Sequence, residues 1–427
     1  MKKAAYILLT IAMLCSCGED RTYEYLELTQ ENQWIYDTMK EAYLWNDSVK
    51  KPARKNFFAV SEKFFSNLLF RSDNFSFFTD SASTTSYGMG YAIMRDPTGT
   101  QRSKNYALVL SVEPGSPAHM AGIKRGDWIS KIGSNSITTS TTVLDRGAAT
   151  TIYTQKIELD EESMTYSWTS GDTIKMEAAR EATPAAIYLD TIYTQRNRKI
   201  GYIVYNRFTP DSNEAFKEKL SHFKAEQVND LIIDLRYNSG GSIATAGTIA
   251  GMLLPTDVKN APYCNLQYNS YNCDKDTAYM LDGTDIFTPE KLYIVCSNST
   301  RGAAETFIHA LRTTLGYNNA IVIGEQTYGE YVMTEKIESK YNFAINPAVA
   351  YIGDDEGTMY LKYGITPNYQ MDELTNYHSI YALGNRQEYM LYNILYHIAN
   401  GSMPHDQPQQ ASATEIRMAS NAKGIMR

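Results

Sequence analysis

The second half of the chain is built from short apolar runs that alternate with helix-period segments. From about residue 187 onward, runs typical of buried strands are followed by stretches in which apolar residues recur every three or four positions. The predicted strands are 199–205, 231–236, 292–296 and 320–324, and the predicted helices include 212–223 and 303–315. This alternation predicts an α/β core.

The length and composition of the chain exclude several classes of protein. The chain has 427 residues, 43% of them hydrophobic and 21% charged, which is enough for two or three cores and excludes a disordered chain. The formal net charge is −8, so there is no basic field to attract nucleic acid or anionic lipid. We therefore expect no nucleic-acid partner.

The N-terminus predicts export. Met1-Lys2-Lys3 precedes an apolar run over 4–14, which is too short to span a bilayer as a permanent helix. The following Cys15-Ser16-Cys17 resembles a bacterial lipobox, in which cleavage leaves Cys17 to be acylated. We expect a signal peptide over 1–16 and a cell-envelope lipoprotein anchored to the outer membrane by lipid alone, facing the periplasm or the surface. A soluble secreted protein cleaved at another site is the alternative.

The remaining cysteines give no metal site. Cys264 and Cys273 lie nine residues apart in a polar stretch and are positioned to staple a loop outside the cytosol, while Cys296 falls in an apolar run and is expected to be buried. The six histidines form no HExxH pattern, and no CxxC pair accompanies them. We predict no metal and no cofactor.

Residues 17–84 are predicted to be a linker and helical cap, and the segment 85–180 resembles a PDZ domain. A glycine-punctuated turn and strand containing Met89, Gly90 and Tyr91 comes first, then an apolar run over 106–112 and the ordered turns of 114–129. Glycines let backbone N–H groups turn toward a peptide carboxylate, and the strand edge accepts a peptide as an added strand. The resemblance implies that Met89, Gly90 and Tyr91 bind peptide.

Residues 185–402 resemble the S41 serine peptidases, the tail-specific or C-terminal-processing proteases. The most specific matches are the runs 234–241, 324–329 and 364–367. The resemblance implies a mixed α/β fold with a ClpP/crotonase-like core, and an oxyanion site formed by backbone N–H groups at Gly240, Gly241 and Ala303. A polar tail over 403–427 is expected to be frayed.

Both members of the family's Ser/Lys dyad are substituted. The nucleophile position, three residues before a helix glutamate, holds Gly302, and the base position after Thr-aromatic-Gly holds Glu330. Three alternatives would still give the site catalytic groups. Ser299 or Thr300 is a displaced nucleophile, Lys336 is a displaced base, or Glu305 and Glu330 form a carboxylate pair that acts on water.

These residues lead to three hypotheses. The chain is a catalytically inactive S41-like lipoprotein that binds peptides or protein C-termini through the PDZ-like groove. Alternatively, it is an active serine-type endopeptidase that acts on unfolded or envelope proteins. The third hypothesis is a structural envelope protein in which the PDZ-like segment only packs against the core.

Overall fold

The computed structural model describes residues 22–80, 85–101, 103–139, 141, 144–160, 162, 165–181, 184–258, 260–281, 284–354, 358–404 and 415–419. The predicted signal peptide and Cys17 lie outside the described residues.

In the described residues, the α-helices are α1 (Thr22–Ala42), α2 (Ser61–Leu68), α3 (Pro117–Met120), α4 (Ser212–Ala225), α5 (Ile243–Leu253), α6 (Ala303–Leu315) and α7 (Tyr389–Asn400). The strands are β1 (Phe77–Asp80), β2 (Thr85–Ser86), β3 (Met89–Arg95), β4 (Asn105–Val112), β5 (Trp128–Ile132), β6 (Asn135–Ser136), β7 (Thr150–Asp160), β8 (Thr165–Met176), β9 (Arg180–Glu181), β10 (Ile187–Gln195), β11 (Arg198–Tyr205), β12 (Asp230–Asp234), β13 (Pro262–Tyr268), β14 (Thr277–Met280), β15 (Lys291–Cys296), β16 (Ala320–Gly324), β17 (Val332–Thr334), β18 (Ile337–Glu338), β19 (Phe343–Asn346), β20 (Ala348–Gly353), β21 (Tyr369–Gln370) and β22 (Glu415–Ala419).

The chain divides into two compact units. The first unit contains the described residues before Ala82, together with Tyr268–Lys275 and Thr334–Ala350. The second unit contains the described residues of Ala82–Gln267, Asp276–Met333 and Tyr351–Arg427.

The first unit combines the predicted helical cap with two segments that are distant in sequence. Its three-stranded sheet has the order β1-β19-β18, so the strand after α2 pairs with residues more than 260 positions later. Asn269 Nδ2 donates to the backbone oxygens of Glu41 and Tyr43, at 3.0 and 2.9 Å, and the Leu44 N–H donates to Ala348 O at 2.8 Å. These bonds satisfy the C-terminal end of α1.

The PDZ-like part of the second unit is a sheet of order β22-β3-β4-β5-β7-β8, with β6 paired to β5. Helix α3 begins where Ser116 accepts a hydrogen bond from the His119 N–H, and Pro117 occupies the first turn. The apolar side chains that fill this part include Met89, Tyr91, Ile93, Val109 and Ile129.

The core of the second unit is a six-stranded sheet of order β10-β11-β12-β15-β16-β21. All neighbours from β11 onward are parallel, and β10 is antiparallel to β11. Helix α7 packs on the sheet through Met390, Leu391 and Ile394. Strands β12, β15 and β16 are almost entirely buried, and the central residues of each are apolar, as the sequence predicts.

Three features differ from expectation. The tail was expected to be frayed, yet Glu415–Ala419 forms β22 on the edge of β3. The proposed Cys264–Cys273 staple is wrong, because both cysteines are free, Cys264 buried and Cys273 exposed. The long hairpin of β7 and β8 escaped sequence analysis because its side chains alternate without a strong apolar run.

Among the residues the structure describes, no helix is both long and apolar enough to cross a membrane.

Candidate functional site

Three loops meet at the carboxyl edge of the core sheet. The first follows β12, the second connects β15 to α6, and the third follows β16. Because these are adjacent parallel strands, their carboxyl ends lie at one edge, where open α/β sheets form ligand sites. The Arg301 N–H donates to Asn238 O at 3.2 Å, and the Tyr328 N–H donates to Thr300 O at 3.0 Å, so the loops are bonded to one another.

Gly302 lies at this junction in a conformation that favours glycine. Its φ is 58° and its ψ is −122°, and it precedes the first turn of α6. A strained turn at the start of a helix is how α/β hydrolases expose a nucleophile, and this backbone has that form without a side chain. The position predicted to have lost its nucleophile therefore holds a residue that adopts the turn without strain.

Glu330 faces Gly302. A Cβ atom placed on Gly302 would lie 3.0 Å from Glu330 Oε2, so a side chain at residue 302 would point at the carboxylate. The Glu330 carboxylate also lies 3.9 Å from Arg301 Nε, and both side chains are mostly buried. The two positions that the resemblance identifies with the dyad are thus neighbours, and residue 330 brings a carboxylate to residue 302.

Glu305 braces this arrangement and is fully buried. Its carboxylate accepts the N–H groups of Gly302, Gly329 and Glu330, at 3.1, 2.8 and 2.9 Å, and also the Thr327 hydroxyl. Burial raises the pKa of Glu305 to about 7, and the hydrogen bonds from Thr327, Glu330 and Gly329 act in the opposite direction. With both oxygens occupied by donors, Glu305 holds the third loop to α6 and is not a partner for Glu330 on water.

The glycine turn after β12 brings backbone amides to the same place. Gly240 and Gly241 have φ values of 100° and 123°, and a Cβ on Gly240 would lie 3.2 Å from the Ala303 nitrogen. The Gly240 N–H donates to Asn238 Oδ1 at 2.8 Å. Among the hydrogen bonds of the described residues, none uses the N–H of Gly241 or Ala303. Of the three predicted oxyanion amides, these two therefore donate to no group within the described residues.

Two of the three candidates for a displaced nucleophile or base are held by other partners. Thr300 is fully buried, and its hydroxyl donates to Leu235 O at 2.7 Å. Ser299 is half-buried next to Asn298. Lys336 is exposed and pairs with Glu338 at 2.7 Å.

A cluster of buried charges supports the glycine turn. Arg236, two residues before Asn238, binds Asp234 at 2.7 Å, Glu388 at 2.7 Å and Glu373 at 3.0 Å. Arg125, from the PDZ-like part of the same unit, binds Glu373 at 2.7 Å and Glu388 at 3.4 Å. Burial alone would raise the pKa of Glu373, but the two guanidiniums hold it at about 2.

The predicted peptide-binding strand of the PDZ-like part contributes backbone more than side chains. Met89 and Tyr91 are 1% exposed, and the Tyr91 hydroxyl donates to Asp145 at 2.7 Å. Gly90 leaves no room for a Cβ, which would lie 2.6 Å from Ser111 Oγ. Any peptide at this strand therefore meets its main-chain edge, and that edge carries β22.

Sequence analysis missed Arg301 and Arg125 as parts of the site. Arg301 stands beside Gly302, and its opposite charge to Glu330 was a usable signal, whereas nothing local to Arg125 indicates its buried partners. Within the described ranges, no group of three or more His, Cys, Asp or Glu residues is arranged to hold a metal ion.

Three protein-family profiles match the chain. The profile of the peptidase S41 N-terminal domain matches residues 30–77, that of the PDZ domain matches 108–146, and that of peptidase family S41 matches 199–371. The predicted order of cap, PDZ-like part and S41-like core is the order of these matches.

Curated relatives are proteases. The chain is 26% identical over 293 residues to carboxyl-terminal-processing peptidase 2, chloroplastic, of Arabidopsis thaliana, which covers 64% of this chain and 52% of the relative. It is 25% identical over 247 residues to a CtpA-like serine protease of Staphylococcus aureus, which covers 56% of this chain and 45% of that protein. The chain thus spans about half the length of these relatives.

Solved structures agree on the fold. An S41 protease from Bacteroides fragilis superposes with a TM-score of 0.74 at 26% identity, over 86% of this chain and 97% of that one. The photosystem II D1 C-terminal processing protease has a TM-score of 0.50 at 18% identity, over 81% and 92% of the two chains. The predicted fold class is confirmed.

Proposed function

We propose, from the premise that this chain belongs to the S41 peptidase family and carries a PDZ domain, that it binds peptides or protein C-termini without cleaving them. The observation that carries this proposal is Gly302, which stands without a side chain where α6, the glycine turn and residue 330 converge.

The chemistry of peptide cleavage needs groups that this site lacks. A covalent mechanism requires a nucleophilic atom at residue 302 and a base that takes its proton. Glycine supplies no such atom, and the Glu330 carboxylate stands 3.0 Å from where the side chain would begin. Its negative charge also opposes the oxyanion that forms during acyl transfer.

Peptide binding requires fewer groups than peptide cleavage, and the site contains those groups. Within the described residues the N–H groups of Gly241 and Ala303 have no acceptor, and we infer that they bind a peptide carbonyl at the N-terminal end of the 13-residue helix α6. Glu330 disfavours a free carboxylate at this point and suits an N–H or ammonium donor. We therefore assign peptide termini to the PDZ strand edge. Internal peptide backbone is assigned to the site at Gly241 and Ala303.

The test compares the chain from residue 18 onward with its Gly302→Ser, Glu330→Lys variant, using fluorescein-labelled unfolded casein. We expect the natural chain to raise casein anisotropy without degrading it, whereas folded lysozyme carrying the same dye is not bound. Degradation of casein by the natural chain would contradict the proposal that the chain is inactive. Absence of any anisotropy change would overturn peptide binding.

The second candidate is an active endopeptidase, which is favoured by the protease names of the relatives. Its remaining nucleophile is Ser299, since the Thr300 hydroxyl is buried and bonded. This candidate predicts casein cleavage that Ser299→Ala abolishes and that Ser297→Ala, a neighbouring buried serine, changes only through stability.

We place the protein in the cell envelope, anchored by an acylated Cys17 and with no other membrane attachment. The support is the sequence run Leu14-Cys15-Ser16-Cys17 after an apolar h-region. Metabolic labelling with an alkyne fatty acid is expected to mark the natural chain and not the Cys17→Ala variant.

A further inference from the structure

We propose that the C-terminal segment Glu415–Ala419 is an internal ligand of the PDZ strand edge, and that other peptides must displace it to bind there. The proposal rests on the proposed function only in treating this edge as a peptide-binding site.

The segment lies on the edge as an added antiparallel strand. Its pairs with β3 are Glu415 with Met94, Arg417 with Ile93, Met418 with Ala92 and Ala419 with Tyr91, and an irregularity falls between 415 and 417. Strand addition is a recurring mode of peptide recognition, in which main-chain hydrogen bonds provide much of the affinity.

The edge of strand β3 that faces β22 carries backbone groups that require a hydrogen-bonding partner. Its other edge is bonded along its whole length to β4, from Met89 opposite Val112 to Arg95 opposite Asn105. Side chains on both of its faces are buried, with Tyr91 and Ile93 in one apolar cluster and Ala92 and Met94 in another. Without β22, this long and apolar strand would present unpaired N–H and C=O groups, the kind of edge that recruits another chain.

The direction of the segment matches the direction expected of a bound terminus. Because β22 is antiparallel to β3, the chain of β22 runs from Met94 toward Tyr91, that is, toward Gly88, which precedes β3 with a φ of 77°. Eight residues, 420–427, follow Ala419 in the sequence. The edge therefore binds this segment as internal chain, so the binding of this segment does not depend on a free carboxylate.

Tethering makes the interaction effective even when the strand itself binds weakly. Helix α7 ends at Asn400, and 14 residues, 401–414, separate it from β22. A connection of this length gives an effective concentration on the order of 1 mM. A segment with a dissociation constant of about 0.1 mM would then occupy the edge roughly 90% of the time and weaken a competing peptide about tenfold.

The test uses the chain from residue 18 onward with prolines at Arg417 and Met418. Successive residues of a strand direct their N–H groups to opposite sides, so two adjacent prolines remove a bond to β3 whichever side each faces. The matched control places prolines at Ala411 and Ser412, before the strand begins. The probe is a fluorescein-labelled peptide with the sequence of residues 411–427, and its binding is measured by anisotropy.

We expect the probe to bind the Arg417→Pro, Met418→Pro variant about tenfold more tightly than the natural chain or the control. Hydrogen exchange at the amides of Ala92–Met94 should be slow in the natural chain, fast in the variant, and slow again when the probe is added. Equal probe affinity for all three chains, or equally fast exchange in the natural chain and the variant, would overturn the proposal. A concentration-dependent dimer of the natural chain that the prolines abolish would overturn it too, since the segment would then serve a second copy.

The outcome also separates this inference from the proposed function. If casein binds neither the natural chain nor the proline variant while the probe still behaves as expected, peptide binding as a general function fails and the internal ligand stands. If casein binds but the prolines change neither probe affinity nor hydrogen exchange, the internal ligand fails and peptide binding as a general function stands.

Discussion

The Arg125 guanidinium of the PDZ-like part lies 2.7 Å from the Glu373 carboxylate of the core, although 248 positions separate the two residues in sequence. Both side chains are almost completely buried. Glu373 also binds Arg236, which leads directly into the turn that carries Gly240 and Gly241. The PDZ-like part and the glycine turn at Gly240 and Gly241 are therefore connected by one buried ionic cluster.

Removing Arg125 should be costly. The Arg125→Met variant keeps much of the apolar stem but leaves Glu373 and Glu388 with one guanidinium, and breaking a buried pair typically costs about 3–5 kcal/mol. Urea unfolding measures the free energy. Lys217→Ala, which breaks an exposed pair with Glu214, is the control and should lose less than about 1 kcal/mol. An equal effect of the two substitutions would show that the cluster contributes little.

Stability should fall in acid because of Glu373. Its pKa is about 2 in the folded chain, below the ordinary glutamate value, so its contribution is present above about pH 4.5 and is lost as the pH falls toward 2. At about 1.4 kcal/mol for each pH unit, the loss is roughly 3 kcal/mol by pH 2, of which about 2 kcal/mol is lost by pH 3. Urea unfolding between pH 7 and pH 3 measures this part of the loss. In Glu373→Gln the difference from the natural chain should shrink steadily toward acid pH, and a constant difference would contradict the assignment.

A side chain at residue 302 should destabilise the fold for two reasons. Gly302→Ala forces a non-glycine residue into a positive φ, which costs about 1–3 kcal/mol, and brings a Cβ to 3.0 Å from Glu330 Oε2. Thermal unfolding of Gly302→Ala, Glu330→Ala and the double variant measures the coupling energy between residues 302 and 330. We expect the double variant to be more stable than the sum of the two single effects predicts, because Glu330→Ala removes the crowding. Gly316→Ala, at the other end of α6, has a positive φ but no atom within 4 Å of its Cβ, and reports the backbone contribution alone.

The three cysteines after residue 17 should react as one accessible and two protected thiols. Cys273 is exposed, whereas Cys264 and Cys296 are buried, and burial raises the pKa of Cys264 to about 12 and that of Cys296 as well. With the chain from residue 18 onward at pH 8, a colorimetric disulfide reagent should titrate one thiol rapidly and all three in guanidinium chloride. A count of one in the denatured chain would reveal a disulfide after all.

Local patterns predicted the core well because its elements are determined locally. Helix α6 and strand β16 begin and end at the predicted residues, since a glycine precedes the helix and unbroken apolar runs mark buried strands. The proximity of Gly302 and Glu330 was also accessible, because both follow adjacent parallel strands.

What escaped prediction depends on contacts that are distant in sequence. Residues 334–350 were assigned to the core on sequence order, yet they join the first unit by pairing β19 with β1. The partners of Arg125 lie in loops and helix ends with no shared motif. The tail contains too few apolar residues to signal a strand, and its pairing with β3 is a contact between segments more than 300 positions apart.

The backbone at Gly302 has a consequence for how this chain can change over generations. A substitution that places a side chain at residue 302 incurs the strain of a positive φ and brings its Cβ to 3.0 Å from Glu330 Oε2. Such a change loses stability unless residue 330 changes as well. We therefore expect residues 302 and 330 to vary together in relatives that keep this turn.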